Sequence, residues 1–220
     1  MRLAPRVRQL TAIEVDRDLA ARLRPQLPPT ADIVVADFLT VDLAPLLAAG
    51  PVRIAGNLPY NISSPILFRL LEASRQFDGL IDATIMLQLE VAERLVASVG
   101  TSDYGVLTIL TSLSADVTRV LTLPPGAFRP MPRVRSAVVR LTFRPARVPV
   151  SDLPLFERLV RTVFTQRRKI LLNALRPFAE SIGRDAAASL SAAGIDPGRR
   201  PETLTLQEFA RLARVLAANP

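Results

Sequence analysis

The chain has 220 residues, 49% hydrophobic and 22% charged, which is enough apolar matter for a sizeable core and excludes wholesale disorder. It has no cysteine and no histidine, which excludes disulfides, thiolate nucleophiles, cysteine-based zinc sites and histidine general bases, so any catalysis must use carboxylates alone or need little proton transfer. The net charge is +8, and with neither a secretory pattern over residues 1–10 nor a bilayer-length apolar run, a cytoplasmic protein away from the membrane is expected.

Residues 11–15 read as a short strand, and Asp16 as the N-cap of a helix that closes near Pro25. Residues 33–36 and 52–55 are short apolar runs of the buried-strand type, ending at Asp37 and at Gly56-Asn57. Ser63 or Ser64 caps a helix that has Pro65 in its first turn and runs to about Ser74. A strand over 82–89 and helices over 90–99 and 104–115 follow. Strands over 116–123 and 134–143 flank the proline-rich loop 124–132 and form an antiparallel edge pair. This alternation predicts an α/β domain with a mostly parallel sheet covered on both faces. After a linker at 145–149 the pattern is purely helical, over 153–165, 170–179, 184–193 and 206–217. The expected division is a catalytic α/β domain over 1–148 and a small all-helical domain over 149–220.

The charge is unevenly spread. Between residues 127 and 176, twelve basic residues stand against Asp152 and Glu157 alone, and the rest of the chain is slightly acidic. Such a block suits a nucleic-acid backbone, and equally a solvated basic face. Arg133, Arg135 and Arg140 alternate with apolar residues at strand spacing, which points some of them to water.

Ligands of open parallel sheets bind at the carboxyl ends of the strands, where Glu14, Asp37 and Asn57 fall. Glu14 is suited to accept from ribose hydroxyls and Asp37 to accept from an adenine amine. Read in isolation, an ordinary exposed acid and a turn aspartate are the simpler interpretations. Asn57-Leu58-Pro59-Tyr60 is more specific. It combines an amide acceptor, a proline-stiffened backbone carbonyl and an aromatic face, the parts that hold a planar base by stacking and grip its exocyclic amine. The lone pair of that amine is delocalised into the ring. Acceptors on both N–H groups favour a more tetrahedral and more nucleophilic nitrogen, and a partner that is already cationic needs no histidine to assist. The alternative is a plain strand-to-helix turn with Tyr60 in the core.

Ala12-Ile13-Glu14-Val15-Asp16, Ala36-Asp37-Phe38 and Asn57-Leu58-Pro59-Tyr60-Asn61-Ile62-Ser63-Ser64-Pro65 occur in that order. Leu87-Gln88-Leu89-Glu90, Phe128-Arg129-Pro130-Met131-Pro132, Gln166-Arg167-Arg168-Lys169 and Arg200-Pro201-Glu202-Thr203-Leu204 follow. Together they resemble, over essentially the whole chain, the KsgA-type small-subunit ribosomal RNA adenine dimethyltransferases, which use S-adenosylmethionine. The resemblance implies a Rossmann-like methyltransferase sheet with a C-terminal helical rRNA-binding domain, in a monomer without metal that acts on the small-subunit rRNA of a pre-30S particle. It also implies dimethylation of two adjacent adenines in a 3'-terminal hairpin loop. Carried over residue by residue, Glu14 holds the cofactor ribose, Asp37 the cofactor adenine amine, and Asn57 borders both cofactor and target. Asn57 and the carbonyl of Leu58, stiffened by Pro59, accept from the target amine. Tyr60 stacks on one face of the target adenine, and Phe128 reaches the other from the proline-rich loop. Arg129, Arg133, Arg135, Gln166, Arg167, Arg168 and Lys169 contact RNA. Without the resemblance, Phe128 reads as a hydrophobic plug and residues 166–169 as a solvated helix start.

The family's opening strand and glycine-rich loop have no counterpart here, because the nine glycines include no Gly-x-Gly pair; residues 7–10 read as the remnant of the helix that follows that loop. In methyltransferase topology that strand lies between the strands ending at Glu14 and Asn57. Two buried strand edges are therefore expected, each unpaired group costing about 1–3 kcal/mol, with an open cleft between them. Met1 is accordingly expected to be a mis-assigned or truncated start, and these 220 residues alone to bind the cofactor weakly. Two other functions stay open at this level: a resistance-type methyltransferase of large-subunit rRNA, and a non-catalytic rRNA-binding assembly factor.

Overall fold

A computed structural model describes residues 3–48 and 50–218. The first half runs β1 (Leu10–Glu14), α1 (Arg17–Leu23), β2 (Ala31–Val35), α2 (Ala44–Ala48), β3 (Val52–Asn57), α3 (Ser63–Gln76), β4 (Leu80–Gln88), α4 (Leu89–Leu95), α5 (Val106–Ser114), β5 (Ala115–Leu123) and β6 (Ser136–Phe143). Four helices complete it: α6 (Leu153–Thr165), α7 (Leu171–Ser181), α8 (Ala186–Ala192) and α9 (Leu206–Ala217).

Local chemistry sets several boundaries. The Asp16 carboxylate accepts from the amides of Asp18 and Leu19, as an N-cap does, and opens α1 where the sequence predicts. Ser63 is not a cap but the first residue of α3. Its hydroxyl donates back to the Tyr60 carbonyl at 3.1 Å and so ties the helix to the turn before it. Helix α4 stops at Leu95 rather than near 99, and Gly100, at φ 87, takes the left-handed conformation in the loop that follows. Helix α2 is absent from the sequence reading. Its signals, Asp42 accepting from the Ala44 amide at 2.9 Å and Pro45 in the first turn, precede only five helical residues. Residues 7–10 are not helical; Leu10 already belongs to β1.

The strands form two sheets. β1 and β2 pair in parallel, and a separate four-stranded sheet has the order β3-β4-β6-β5. In the latter, β3 and β4 are parallel, whereas β6 runs antiparallel to both β4 and β5. The sheet system is thus mixed rather than mostly parallel, with the expected antiparallel pair at one edge. The separation falls between β1 and β3, where the expected break lies. The two edges are not buried, however: all of β1 is half-buried and β3 alternates half-buried with exposed residues. Water reaches these edges, so unpaired backbone groups there cost less than buried ones.

The four-stranded sheet is covered on one face only. Ala83, Ile85, Leu87, Ala137, Val139 and Leu141 are fully buried in a core with Leu67, Leu70 and Leu71 of α3. On the other face Arg53, Ala55, Asn57, Arg140 and Thr142 are exposed, which corrects the expectation of two covered faces. A second core joins α6 to α9, and it also draws in Tyr104 and Ile109, Leu110 and Leu113 of α5. The helical unit is therefore packed against the sheet unit through α5. Further ties are the Tyr104 hydroxyl donating to the Leu204 carbonyl at 2.8 Å and the Gly100 amide donating to the Glu202 carbonyl at 2.8 Å.

Candidate active site

Glu14 and Asp37 sit at the carboxyl ends of neighbouring parallel strands, bridged by the Ala36 amide donating to the Glu14 carbonyl at 3.0 Å. One carboxylate oxygen of Glu14 accepts from the Asp16 amide at 3.0 Å, and one of Asp37 accepts from the Leu39 amide at 2.8 Å. Each acid thus stiffens its own turn with one oxygen and presents the other. Arg69 of α3, which sequence reasoning passed over, donates to the carbonyls of Leu39 (2.6 Å) and Val41 and so fixes the Asp37 turn. Its signal in the sequence is only a basic residue among the apolar positions of α3.

Asn57 closes β3, exposed and paired with Met86. The Leu58 amide donates to the Met86 carbonyl at 3.0 Å, which hooks the turn onto β4 one residue beyond the ladder. The Ile62 amide donates to the Pro59 carbonyl and the Ser63 hydroxyl to the Tyr60 carbonyl, so the turn is closed from within. Among the described residues no backbone N–H is bonded to the Leu58 carbonyl. Tyr60 is half-buried rather than a core residue, and its hydroxyl shares a hydrogen bond of 2.7 Å with the hydroxyl of Ser136.

Phe128 is half-buried and follows a single 3-10 turn, Pro125–Ala127, in the loop between β5 and β6. The Phe128 amide donates to the Pro125 carbonyl at 3.2 Å. Both ends of that loop meet at one place, since Leu123 pairs with Ser136 and the Leu89 amide donates to the Arg135 carbonyl at 3.0 Å. The structure therefore brings Asn57, Tyr60 and the root of the Phe128 loop to the same end of the four-stranded sheet. Glu14 and Asp37 stand at the corresponding end of the two-stranded one. The ring–ring contacts among the described residues are Tyr104–Phe164 and Phe164–Phe209, so the rings of Tyr60 and Phe128 do not pack on each other.

The basic residues divide into two kinds. Arg129, Arg133, Arg135, Arg168 and Lys169 are exposed and form no ion pair among the described residues. Arg133 and Arg135 precede β6 instead of lying on it, so strand alternation does not govern where they point. Arg167, by contrast, donates to the carbonyls of Thr101 (2.9 Å) and Ser102 and lies 3.8 Å from Glu202, locking the loop after α4 to the helical unit. Gln166 is half-buried, with its side-chain oxygen enclosed. Arg144 is structural as well: it donates to the carbonyls of Ser112, Leu113 and Ala115 at the end of α5 and pairs with Asp116 at 3.1 Å.

A sheet unit with carboxylates at its strand ends, joined to a helical unit, is the architecture of a Rossmann-like methyltransferase, and the comparisons with known proteins place the chain in that class. The chain belongs to the ribosomal RNA adenine dimethylase family, whose model matches residues 1–218. It is 43% identical over 217 residues to "Ribosomal RNA small subunit methyltransferase A" of Syntrophotalea carbinolica, covering 98% of this chain and 80% of that protein. It is 45% identical over 225 residues to the protein of the same name in Geobacter metallireducens, again covering 98% and 80%. Among solved structures it is similar to the 23S rRNA methyltransferase ErmE, at 31% identity and TM-score 0.66 over 98% of this chain and 85% of that one. A dimethyladenosine transferase from Plasmodium falciparum, at 23% identity and TM-score 0.74 over 96% and 82%, shares the fold.

Proposed function

We infer that the chain dimethylates the exocyclic amines of two adjacent adenines in a 3'-terminal hairpin loop of small-subunit rRNA, with S-adenosylmethionine as methyl donor. It would do so as a cytoplasmic monomer during assembly of the small subunit. The observation that carries this reading is the likeness, at 43% and 45% identity over 98% of the chain, to proteins named for the small-subunit reaction. The large-subunit alternative rests on a more distant likeness, 31% to ErmE. A purely binding role is disfavoured by the intact Asn57–Tyr60 turn. Among the described residues, no helix is long and apolar enough to cross a membrane and no group of three metal-ligating acids is present.

The donor set at the strand ends fits the cofactor's polar ends. The second oxygens of Glu14 and Asp37 are suited to accept from the ribose hydroxyls and the adenine amine. When bound, the cofactor supplies a methyl group on a sulfonium, a cationic leaving centre. The chain's own residues then have three tasks. The Asn57 side-chain oxygen and the Leu58 carbonyl accept the two N–H groups of the target amine, favour a tetrahedral nitrogen and so localise the lone pair that is otherwise delocalised into the ring. Tyr60 and Phe128 clamp the two faces of the flipped base, which offsets its lost stacking, and each base–aromatic stack is worth about 1–3 kcal/mol. The exposed residues Arg129, Arg133, Arg135, Arg168 and Lys169 hold phosphates, supplying affinity without reading sequence; residues 149–220 form the helical RNA-binding unit.

Primer extension on small- and large-subunit rRNA, each incubated with the chain at millimolar S-adenosylmethionine, tests this. Stops at two adjacent adenines of the small-subunit RNA are expected. Asn57→Ala and Tyr60→Ala should abolish them while rRNA affinity stays unchanged. Stops on large-subunit RNA only, or variants that methylate normally, overturn the reading.

A further inference from the structure

Ser136 is the first residue of β6 and is fully buried, with β4 on one side (paired at Gln88) and β5 on the other (paired at Leu123). Cross-strand partners share a sheet face, and so do residues two apart on one strand. Asn57 with Met86, and Gln88 with Ser136, therefore place Asn57 and Ser136 on the same face, with β4 between them. Tyr60 crosses that strand end to reach Ser136, and its hydroxyl and the Ser136 hydroxyl lie 2.7 Å apart. The backbone end of Tyr60 is fixed by the turn closed through Ser63, and its distal end by Ser136. A phenol ring held at both ends has little freedom about its two side-chain torsions. Ser136 also ends the loop that carries Phe128, so one residue fixes the Tyr60 ring and anchors the platform of the second aromatic.

We propose that Ser136 is a positioning residue for methyl transfer, orienting Tyr60 through this hydrogen bond so that both stacking faces are set before the base arrives; this rests on the stacking role inferred above for Tyr60. In this role Ser136 acts through Tyr60, and it is distinguished from a merely satisfied buried hydroxyl by what its loss changes. The bond is worth the range typical of a neutral hydrogen bond, so deleting it should slow the bound-state step about tenfold through a misoriented ring. Binding of RNA, driven by phosphates, should stay as it is.

The experiment uses the full chain with a hairpin RNA carrying 2-aminopurine at the target position, together with single-turnover methylation of the unlabelled hairpin at millimolar S-adenosylmethionine. Ser136→Ala is expected to lower the single-turnover rate about tenfold, to leave the RNA Kd within twofold, and to weaken the stacking-induced quench of 2-aminopurine. Tyr60→Phe removes the same bond from the other side and should match it. The double variant should be no worse than either single one. Should Ser136→Ala fail to fold, as urea unfolding would reveal, Tyr60→Phe alone carries the test, because its ring and backbone are unaltered. Unchanged rate and quench in Ser136→Ala or Tyr60→Phe, with Tyr60→Ala inactive, overturn the positioning role alone. Multiplying effects in the double variant overturn it too. A fully active Tyr60→Ala overturns the stacking reading itself.

Discussion

A single carboxylate holds the segment that joins the helical unit to the rest of the chain, and neutralising it tests that connection. Glu208, in the first turn of α9, accepts from the Thr205 amide at 2.8 Å and its hydroxyl at 3.0 Å, while Arg199 donates to its other oxygen. The Glu208 amide donates back to the Thr205 hydroxyl at 3.2 Å, which completes a capping box. Burial by itself would raise this carboxyl. The hydrogen bonds from Arg199 and Thr205 and the charge of Arg199 outweigh it, and the pKa falls from 4.5 to about 2. A carboxyl lowered on folding stabilises fully above its unfolded value and loses that contribution as pH falls through the folded one. The relevant window is therefore 4.5 down to about 2.

A displacement of that size is worth about 3 kcal/mol at neutral pH, and screening of this partly solvated ion pair brings it to ~2 kcal/mol. Urea unfolding of the native chain and of Glu208→Gln between pH 7 and pH 3 reads it directly. The stability gap should be about 2 kcal/mol from pH 7 to pH 5 and fall below half that by pH 3. A gap that stays constant over this range refutes the ionic account and leaves only side-chain packing. The same network presents the Leu204 and Glu202 carbonyls to Tyr104 and Gly100, so Glu208→Gln should also loosen the loop after α4, seen as faster amide exchange at Gly100.

Burial, and then the charge of Glu208, push the Tyr104 phenol up to about 12, so it remains protonated and a hydrogen-bond donor well above neutral pH. Tyr104→Phe leaves the Leu204 carbonyl unpaired and should cost about 1–3 kcal/mol in urea unfolding, independent of pH between 5 and 9. Arg144→Ala removes a side-chain donor from the carbonyls of Ser112, Leu113 and Ala115, of which Leu113 keeps the Arg147 amide at 3.2 Å, and should destabilise by about 1–3 kcal/mol while rRNA affinity is retained. The double change Arg168→Ala and Lys169→Ala should do the reverse, with unfolding shifted by less than about 0.5 kcal/mol and the salt slope of rRNA binding reduced by about 1 per residue, as filter binding at several salt concentrations would show.

Most of the element order was legible because it rests on local signals: Asp16 as cap, apolar runs of strand length, Pro65 in a first turn. The place of the break in the sheet was legible only through the family resemblance, which sets the missing strand between those ending at Glu14 and Asn57. Strand direction was legible only in part. A loop of a dozen residues permits the antiparallel β5–β6 hairpin, but nothing local tells that β6 inserts between β4 and β5, which makes β4 a strand paired in both senses. The basic block shows the same limit. Counting charges cannot separate Arg144 and Arg167, whose guanidinium groups satisfy carbonyls of α5 and of the 101–102 loop, from Arg168 and Lys169, which face water. Partners 31 to 66 residues away decide that. Ser136 is the clearest example. In sequence it is one small polar residue at the start of a strand, and only the register of three strands places its hydroxyl against Tyr60.

The site also predicts an unusual pH profile. Each participant at the Asn57–Tyr60 turn accepts hydrogen bonds or stacks, and the sequence holds no histidine and no cysteine to titrate near neutrality. Under the proposed acceptor-only mechanism the target amine would give up its proton only after the methyl group has arrived, when the nitrogen is cationic and strongly acidic, so that water could take it without a positioned base. The single-turnover rate on bound hairpin RNA should then be flat between pH 6.5 and 8.5, whereas RNA affinity varies with salt far more than with pH. A bell-shaped rate profile in that interval would require a titrating group in the transition state, which neither Asn57 nor the Leu58 carbonyl can supply, and the acceptor-only mechanism would then be wrong.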